Sequence, residues 1–302
     1  MSVAAVDIGT NSVRLLVADI DAAGNVIPRR RLMRITRLGQ GVDATHELHH
    51  DAIRRTLDVL GAYAEIIGEH DVTGVRVTAT SATRDATNRD AFLEAARAEL
   101  GIEPELITGA EEAGLSFSGA TSQLEAPEPF LVVDIGGGST EFILGTEAPE
   151  QLVSIDVGCV RVTERFLHSD PPRPEELSNA VSFVRDELGD VDREVPGAGS
   201  AGTLVGLAGT ITTMAAVELG LDAYDAEKIH GFRLTRLAAE DVFRTLATEP
   251  AAARRHNPGL EPERVDVIVG GALIAVSVMR HWDYEEMLVS EADILDGLAR
   301  SI

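Results

Sequence analysis

The chain has one cysteine, Cys159, in 302 residues. That excludes an intramolecular disulfide framework and suits a reducing compartment. No apolar stretch reaches the roughly 20 residues of a membrane helix. The longest, Val267 to Met279, reads as a buried core helix. Asp7 lies near the N-terminus and no basic segment precedes an apolar core, so no secretory signal is expected. Short-period repeats, low-complexity tracts, zinc spacings, a Walker loop and a Ser/His/Asp arrangement are all missing. The eight histidines show no metal-ligand spacing. Positive charge is scarce: 26 Lys and Arg stand against 50 Asp and Glu, a net charge of -24. This opposes non-specific attachment to nucleic acid or to an anionic membrane and favours solubility. A polyanionic substrate would then need local help from metal ions, backbone amides and a few placed arginines.

What is present is a duplicated pattern. The apolar run Phe130–Val133 leads into Asp134-Ile135-Gly136-Gly137-Gly138-Ser139-Thr140-Glu141, and a second apolar run follows from Phe142. This predicts two strands joined by a tight glycine turn. Without Cβ atoms, such a turn can bring its N–H groups close to a phosphate. The carboxylate at the strand end suits a divalent metal, directly or through water. Near the N-terminus, Val6-Asp7-Ile8-Gly9-Thr10-Asn11-Ser12 repeats the plan. Two such hairpins predict two similar half-domains facing one cleft. A length of 302 residues and a hydrophobic content of 44% allow two full cores.

In order along the chain, Ala4–Ile20 reads as a hairpin and Val26–Leu38 as a third strand. That strand carries Arg29, Arg30, Arg31, Arg34 and Arg37 with no acid among them, either a solvated face or a track for a polyanion. A helix is expected over His50–Glu69 and a strand over Val75–Thr80. The polar turn Ser81–Asp85 follows, at a strand end where α/β folds place ligands. Asn88 is expected to cap the helix Arg89–Leu100. After the short strand Glu105–Ile107, Thr108-Gly109-Ala110-Glu111-Glu112 opens another helix. Adjacent helical side chains point about 100° apart, so one cleft would receive only one of the two glutamates. Acids at a helix N-terminus also favour the macrodipole with no catalytic role. The break between halves is expected at Gln123–Pro129.

The second half repeats the hairpin, with Gln151–Val157 as a third strand. A helix is expected from Gly158 toward Leu167 and another over Glu175–Leu188. Val191–Ser200 reads as a loop. Strand Gly202–Leu207 runs into Ala208-Gly209-Thr210, a third candidate anion site at a helix start. Helices over Leu237–Thr248 and Val265–Arg280, a strand Met287–Val289 and a helix Asp293–Ser301 complete the reading.

Taken together, the paired Asp-Ile-Gly hairpins, Thr-Gly-Ala-Glu-Glu-Ala at 108–113, Asp-Ile-Gly-Gly-Gly-Ser-Thr-Glu at 134–141, Val-Gly-Cys-Val-Arg at 157–161 and Ala-Gly-Thr at 208–210 resemble the exopolyphosphatase / guanosine pentaphosphate phosphohydrolase (Ppx/GppA) family. The resemblance covers nearly the whole chain. It implies an α/β chain of the actin-like ATPase (RNase H-like) fold, with domains over 1–125 and 126–302 around a central cleft. The last helix is free to pack back on the first domain. The short two-domain form is expected, without the helical C-terminal region of longer relatives, and with it a preference for short chains.

The resemblance further implies Glu112 as the catalytic base. Asp134 and Glu141, with Asp7, become the acids of a metal site taking Mg2+, with Mn2+ as a substitute. Phosphate contacts fall to Asn11, Ser12, Arg84, Gly136, Gly137, Gly138, Ser139, Gly209 and Thr210. The implied substrate is inorganic polyphosphate, with guanosine pentaphosphate as the alternative; nucleic acid and membrane are not implied partners. A cytoplasmic homodimer is the family expectation. An ATP-dependent small-molecule kinase and an actin-like scaffold are the rival readings. The sequence departs from the family in having Gly114 where an arginine is common, Ala208 where a serine is common, and Glu291–Gly297 in place of the usual glycine-rich arginine-glutamate ending.

Overall fold

The computed structural model describes residues 1–122 and 124–302. It divides into two compact units. The first comprises Met1–Ser122 together with Asp293–Ile302, and the second runs through to Ala292. The expected break begins at Gln123, which lies outside the described residues.

The first unit contains β1 (Ser2–Ile8), β2 (Ser12–Ile20), β3 (Val26–Ile35), α1 (Val42–Thr45), α2 (His50–Gly68), β4 (Gly74–Ala79), α3 (Ser81–Asp85), α4 (Arg89–Leu100), β5 (Glu105–Leu106) and α5 (Gly109–Thr121). The second contains β6 (Phe130–Ile135), β7 (Thr140–Gly145), β8 (Pro149–Ile155), α6 (Cys159–Phe166), α7 (Pro174–Glu194), β9 (Thr203–Leu207), α8 (Ala208–Glu218), α9 (Ala226–Ile229), β10 (Arg233–Thr235), α10 (Arg236–Thr248), α11 (Ala251–Arg254), α12 (Ile268–His281) and β11 (Glu286–Val289). The last helix, α13 (Ile294–Arg300), belongs to the first unit.

Both sheets are mixed and share one plan. The first has the order β3-β2-β1-β4-β5, with β2 antiparallel to β1 and β4 parallel to it. Read from its other edge, the second runs β8-β7-β6-β9-β11, with β10 added beyond. Again the hairpin partner is antiparallel and the next strand parallel. Two similar half-domains are what the duplicated hairpins predicted, and the α/β, RNase H-like plan is what the family resemblance implied.

Alternation within β1 and β2 explains how the first sheet is covered. Ala4, Val6 and Ile8 join Val13, Leu15 and Val17 against α2 and α4, through Leu60, Tyr63, Phe92 and Ala96. Val3, Ala5, Leu16 and Ala18 face the other way, onto Ile294, Leu295 and Leu298 of α13. A strand covered on both sides reads as a continuous apolar run. By the same period of two, Asp7 and Arg14 fall on the α13 side. In the second unit, Leu131, Val133 and Phe142 pack with Val184 and Leu188 of α7 and with the apolar helix α12. Among the described residues, no helix is long and apolar enough to cross a membrane.

Four local expectations change. Ser81–Asp85 is a short helix rather than a turn. Asn88 does not cap α4; its amide instead clamps both backbone groups of Leu48, at 2.9 and 3.0 Å. The loop expected from Val191 is helical to Glu194, because Val191 completes the buried stripe of α7. The arginines of β3 are not free of acids: Arg29 meets Asp19 at 2.6 Å, and Arg31 meets Asp293 and Asp296.

Candidate active site

The candidate residues gather at corresponding places, one group in each unit. In the first, Gly9 N–H donates to the Ser12 carbonyl at 3.0 Å and closes the hairpin. In the second, Gly136 N–H donates to the Ser139 carbonyl at the same 3.0 Å. The duplication therefore holds at single hydrogen bonds. In each unit the acid sits one residue before the hairpin's strand end, beside a parallel strand whose own end leads into further candidates. Asp7 is in register with Thr78 of β4, ahead of α3 and Arg84; Asp134 is in register with Leu207 of β9, ahead of Gly209 and Thr210.

The two hairpins differ in what faces the acid. Asp134 lies opposite Glu141, whereas Asp7 lies opposite Arg14. Directly opposed strand residues hold their Cβ atoms about 4.5–5.5 Å apart on one face. Asp134 and Glu141 are 6% and 1% exposed, so the second unit buries two acids side by side. Glu141 Oε1 accepts from Ser154 Oγ at 2.7 Å. Two close, buried carboxylates repel each other, and a cation relieves that repulsion. Among the described residues no group of three or more His, Cys, Asp and Glu is disposed to hold a metal. A two-carboxylate set fits Mg2+, which keeps several waters and completes its octahedron with phosphate oxygens.

The glycine loop of the second unit is oriented by α6. The carbonyls of Gly136 and Gly137 accept from Cys159 N–H and Val160 N–H, each at 2.9 Å, and that of Gly138 from Arg161 Nε at 2.9 Å. In a planar trans peptide the next N–H points opposite to the C=O. The N–H groups of Gly137, Gly138 and Ser139 therefore face away from α6, as an anion cradle needs. A side chain at Gly158 would collide with Gly137, so this approach requires glycine. Beside the third loop, the guanidinium of Arg264 lies directly against Gly209, where a Cβ would strike it, and its Nε donates to Glu261 at 2.8 Å. Arg264 belongs to no motif, and sequence reading missed it.

In the first unit, the backbone carbonyl of Asn11 accepts from Thr36 N–H and Arg37 N–H at 3.0 and 2.9 Å. Its buried side-chain oxygen has no hydrogen-bond partner among the described residues. Asp7 Oδ2 accepts twice from Arg14, at 3.1 Å from Nε and 2.7 Å from Nη2, while its buried Oδ1 has no hydrogen-bond partner among the described residues. Burial dominates and pushes the Asp7 carboxyl above its usual range, against the pull of Arg14.

The paired glutamates of α5 separate cleanly. Thr108 caps the helix; its side chain accepts from Glu111 N–H, and Glu111 reaches back to the Thr108 N–H at 2.9 Å. This capping box accounts for Glu111. The Thr108 backbone and hydroxyl hold its carboxyl below the usual range. Glu112 points elsewhere: Arg84 Nη1 donates to its Oε2 at 2.7 Å and to the Ile107 carbonyl at 3.1 Å. A guanidinium has five N–H donors, so Arg84 can hold this carboxylate and a phosphate oxygen together.

Residues 16–301 match the Ppx/GppA phosphatase family. The chain belongs to that family. A Ppx/GppA relative from Mycobacterium tuberculosis, exopolyphosphatase 2, is 45% identical over 316 residues, covering 99% of this chain and 98% of the relative. An exopolyphosphatase-like protein of known structure superposes with a TM-score of 0.95 at 39% identity, over 99% of this chain and 97% of the other. The Aquifex aeolicus Ppx/GppA enzyme gives a TM-score of 0.84 at 35% identity, over 100% and 99%.

Proposed function

We propose that the chain is an exopolyphosphatase, hydrolysing the terminal phosphoanhydride bond of inorganic polyphosphate. The observation that carries this reading is the full-length 45% identity to an exopolyphosphatase. The acid pair Asp134–Glu141 ahead of an oriented glycine loop supports it in chemical terms.

In this reading the N–H groups of Gly137, Gly138 and Ser139 and the first turn of α8 at Gly209 and Thr210 bind phosphate oxygens. Asn11, Ser12 and Arg84 make further phosphate contacts. Asp134 and Glu141 would hold Mg2+ or Mn2+, with Asp7 offering Oδ1 to a cation directly or through water. When bound, the ion neutralises charge on the reacting phosphoryl group. Glu112 orients a water in line with the terminal phosphoanhydride bond and accepts its proton. The new P–O bond forms as the bond to the bridging oxygen breaks. Orthophosphate and a chain one phosphate shorter leave. Positioning and electrostatics carry most of the rate. A homodimer and a cytoplasmic setting complete the proposal; the lone buried Cys159 suits the latter.

The test is phosphate release measured side by side on short polyphosphate, long polyphosphate, guanosine pentaphosphate and ATP, with Mg2+ and after chelation. Polyphosphate should be the preferred substrate and chelation should abolish turnover. A higher kcat/KM on guanosine pentaphosphate would reassign the substrate. Transfer of phosphate to an acceptor from ATP would restore the kinase reading.

A further inference from the structure

Two features stand outside the proposed reaction: the basic run on β3 and the unusual residues Glu291–Gly297. The structure joins them. Arg14 bridges Asp7 and Asp293, and Arg31 bridges Asp293, at 3.3 Å, and Asp296, at 2.5 Å. The result is an alternating ladder, Asp7–Arg14–Asp293–Arg31–Asp296, with all three acid side chains at most 10% exposed. Burial alone would raise the Asp293 carboxyl, but Arg14 and Arg31 outweigh it and hold it low. Asp293 and Asp296 also build the capping box of α13, so the ladder is fixed to that helix's first turn.

The other side of α13 meets α5, the helix that carries Glu112. A side chain at Gly119 would strike the Asp293 carbonyl, and one at Gly297 would strike the Leu115 carbonyl. The two helices therefore touch backbone to backbone, with no side chain between them to absorb a shift. Interiors packed this closely transmit displacement.

We propose that α13 is a positioning element for both acids of this unit, setting Asp7 through the Arg31–Asp293–Arg14 ladder and Glu112 through the glycine contact with α5. Arg14 and Arg31 are then positioning residues, and Arg31 leaves the polyanion track offered for the β3 arginines. The statement about turnover rests on the exopolyphosphatase reading; the statement about structure does not.

The test uses Arg31→Gln, three ion pairs along the ladder from Asp7, and Asp293→Asn, which keeps the shape of the acid. Each is compared with Leu60→Ala, a packing change on the opposite face of the same sheet. Polyphosphate hydrolysis is measured together with hydrogen–deuterium exchange of peptides covering 9–12 and 109–113. The ladder variants should lose kcat about 10- to 100-fold, the usual effect of removing an outer partner of a functional carboxylate, with KM nearly kept. Exchange at 9–12 should quicken in them and not in Leu60→Ala. The proposal is overturned if exchange at 9–12 is unchanged, or if Leu60→Ala at an equal loss of Tm loses as much kcat. If the wild-type chain releases no phosphate, the exopolyphosphatase reading fails, and the exchange result still decides the positioning role. Should Arg31→Gln not fold, Asp293→Asn decides alone.

Discussion

Glu112→Gln tests the assignment of the base most directly. The replacement keeps the size of the side chain and an oxygen for Arg84, which now donates to a neutral amide instead of a carboxylate at 2.7 Å. The guanidinium keeps its charge but loses the carboxylate's opposite charge, so Arg84 is freer to take a phosphate. The amide cannot accept the proton of the attacking water. Loss of a general base lowers kcat by a factor of about 10² to 10⁴, or about 3–5 kcal/mol of barrier at 1.36 kcal/mol per decade. Polyphosphate affinity should hold or improve, because a negative charge beside a polyanion is gone. Glu111→Gln is the matched control. Glutamine satisfies the same capping-box position, and Glu111 points toward Thr108 rather than Arg84, so turnover should stay close to wild type. The assay is phosphate release at saturating polyphosphate, with affinity measured separately on the Glu112→Gln protein. If Glu111→Gln is the inactive variant, the geometry of α5 has been misread by one residue. If both remain active, the base lies elsewhere.

Gly297→Ala forces a methyl group into the Leu115 carbonyl; overpacking of this kind costs about 1–3 kcal/mol, and the drop in Tm should exceed that of Gly114→Ala, where the added carbon meets open space. Burial raises the Tyr63 hydroxyl to about 12. The unfolded phenol ionises near pH 10 while the folded one stays neutral, so this stability is intact below pH 10 and lost between pH 10 and 12. Two pKa units correspond to about 2.7 kcal/mol, and Tyr63→Phe should flatten the fall of Tm across that window. Arg30 and Arg34 remain exposed on β3. If they guide a polyanion, replacing both with Gln raises KM for polyphosphate and weakens its salt dependence with kcat kept, and an unchanged KM returns them to a solvated face.

The hairpins were legible because their signals are local: a continuous apolar run broken only by an aspartate in Val3–Ile8 and Leu131–Ile135, then glycines where the turn closes. The choice between Glu111 and Glu112 was also within reach, since Thr108-x-x-Glu111 is a capping-box pattern that ties up the first glutamate. Local statistics failed where a distant partner won. Asn88 has the chemistry of a cap, yet Leu48, 40 residues away, takes its side chain. Arg31 looked like a surface charge because its partner Asp293 lies 262 positions along the chain. Arg264 was hidden for a similar reason: its position against Gly209 depends on how two segments of the second unit pack, which no spacing encodes.

That the first unit is assembled from two separated stretches bears on how the chain folds as it is made. Val3, Ala5, Leu16 and Ala18 pack partly with Ile107 and Leu115, but also with Ile294, Leu295, Leu298 and Ala299, which emerge after the entire second unit. Until then that face of the first sheet lacks the cover of α13, and Arg14 and Arg31 lack Asp293, the acid that joins them. The second unit, continuous in sequence, has no such wait. The unit made first is therefore the one finished last, and the nascent sheet needs shelter, from a chaperone or from slow pairing, for the length of 170 intervening residues.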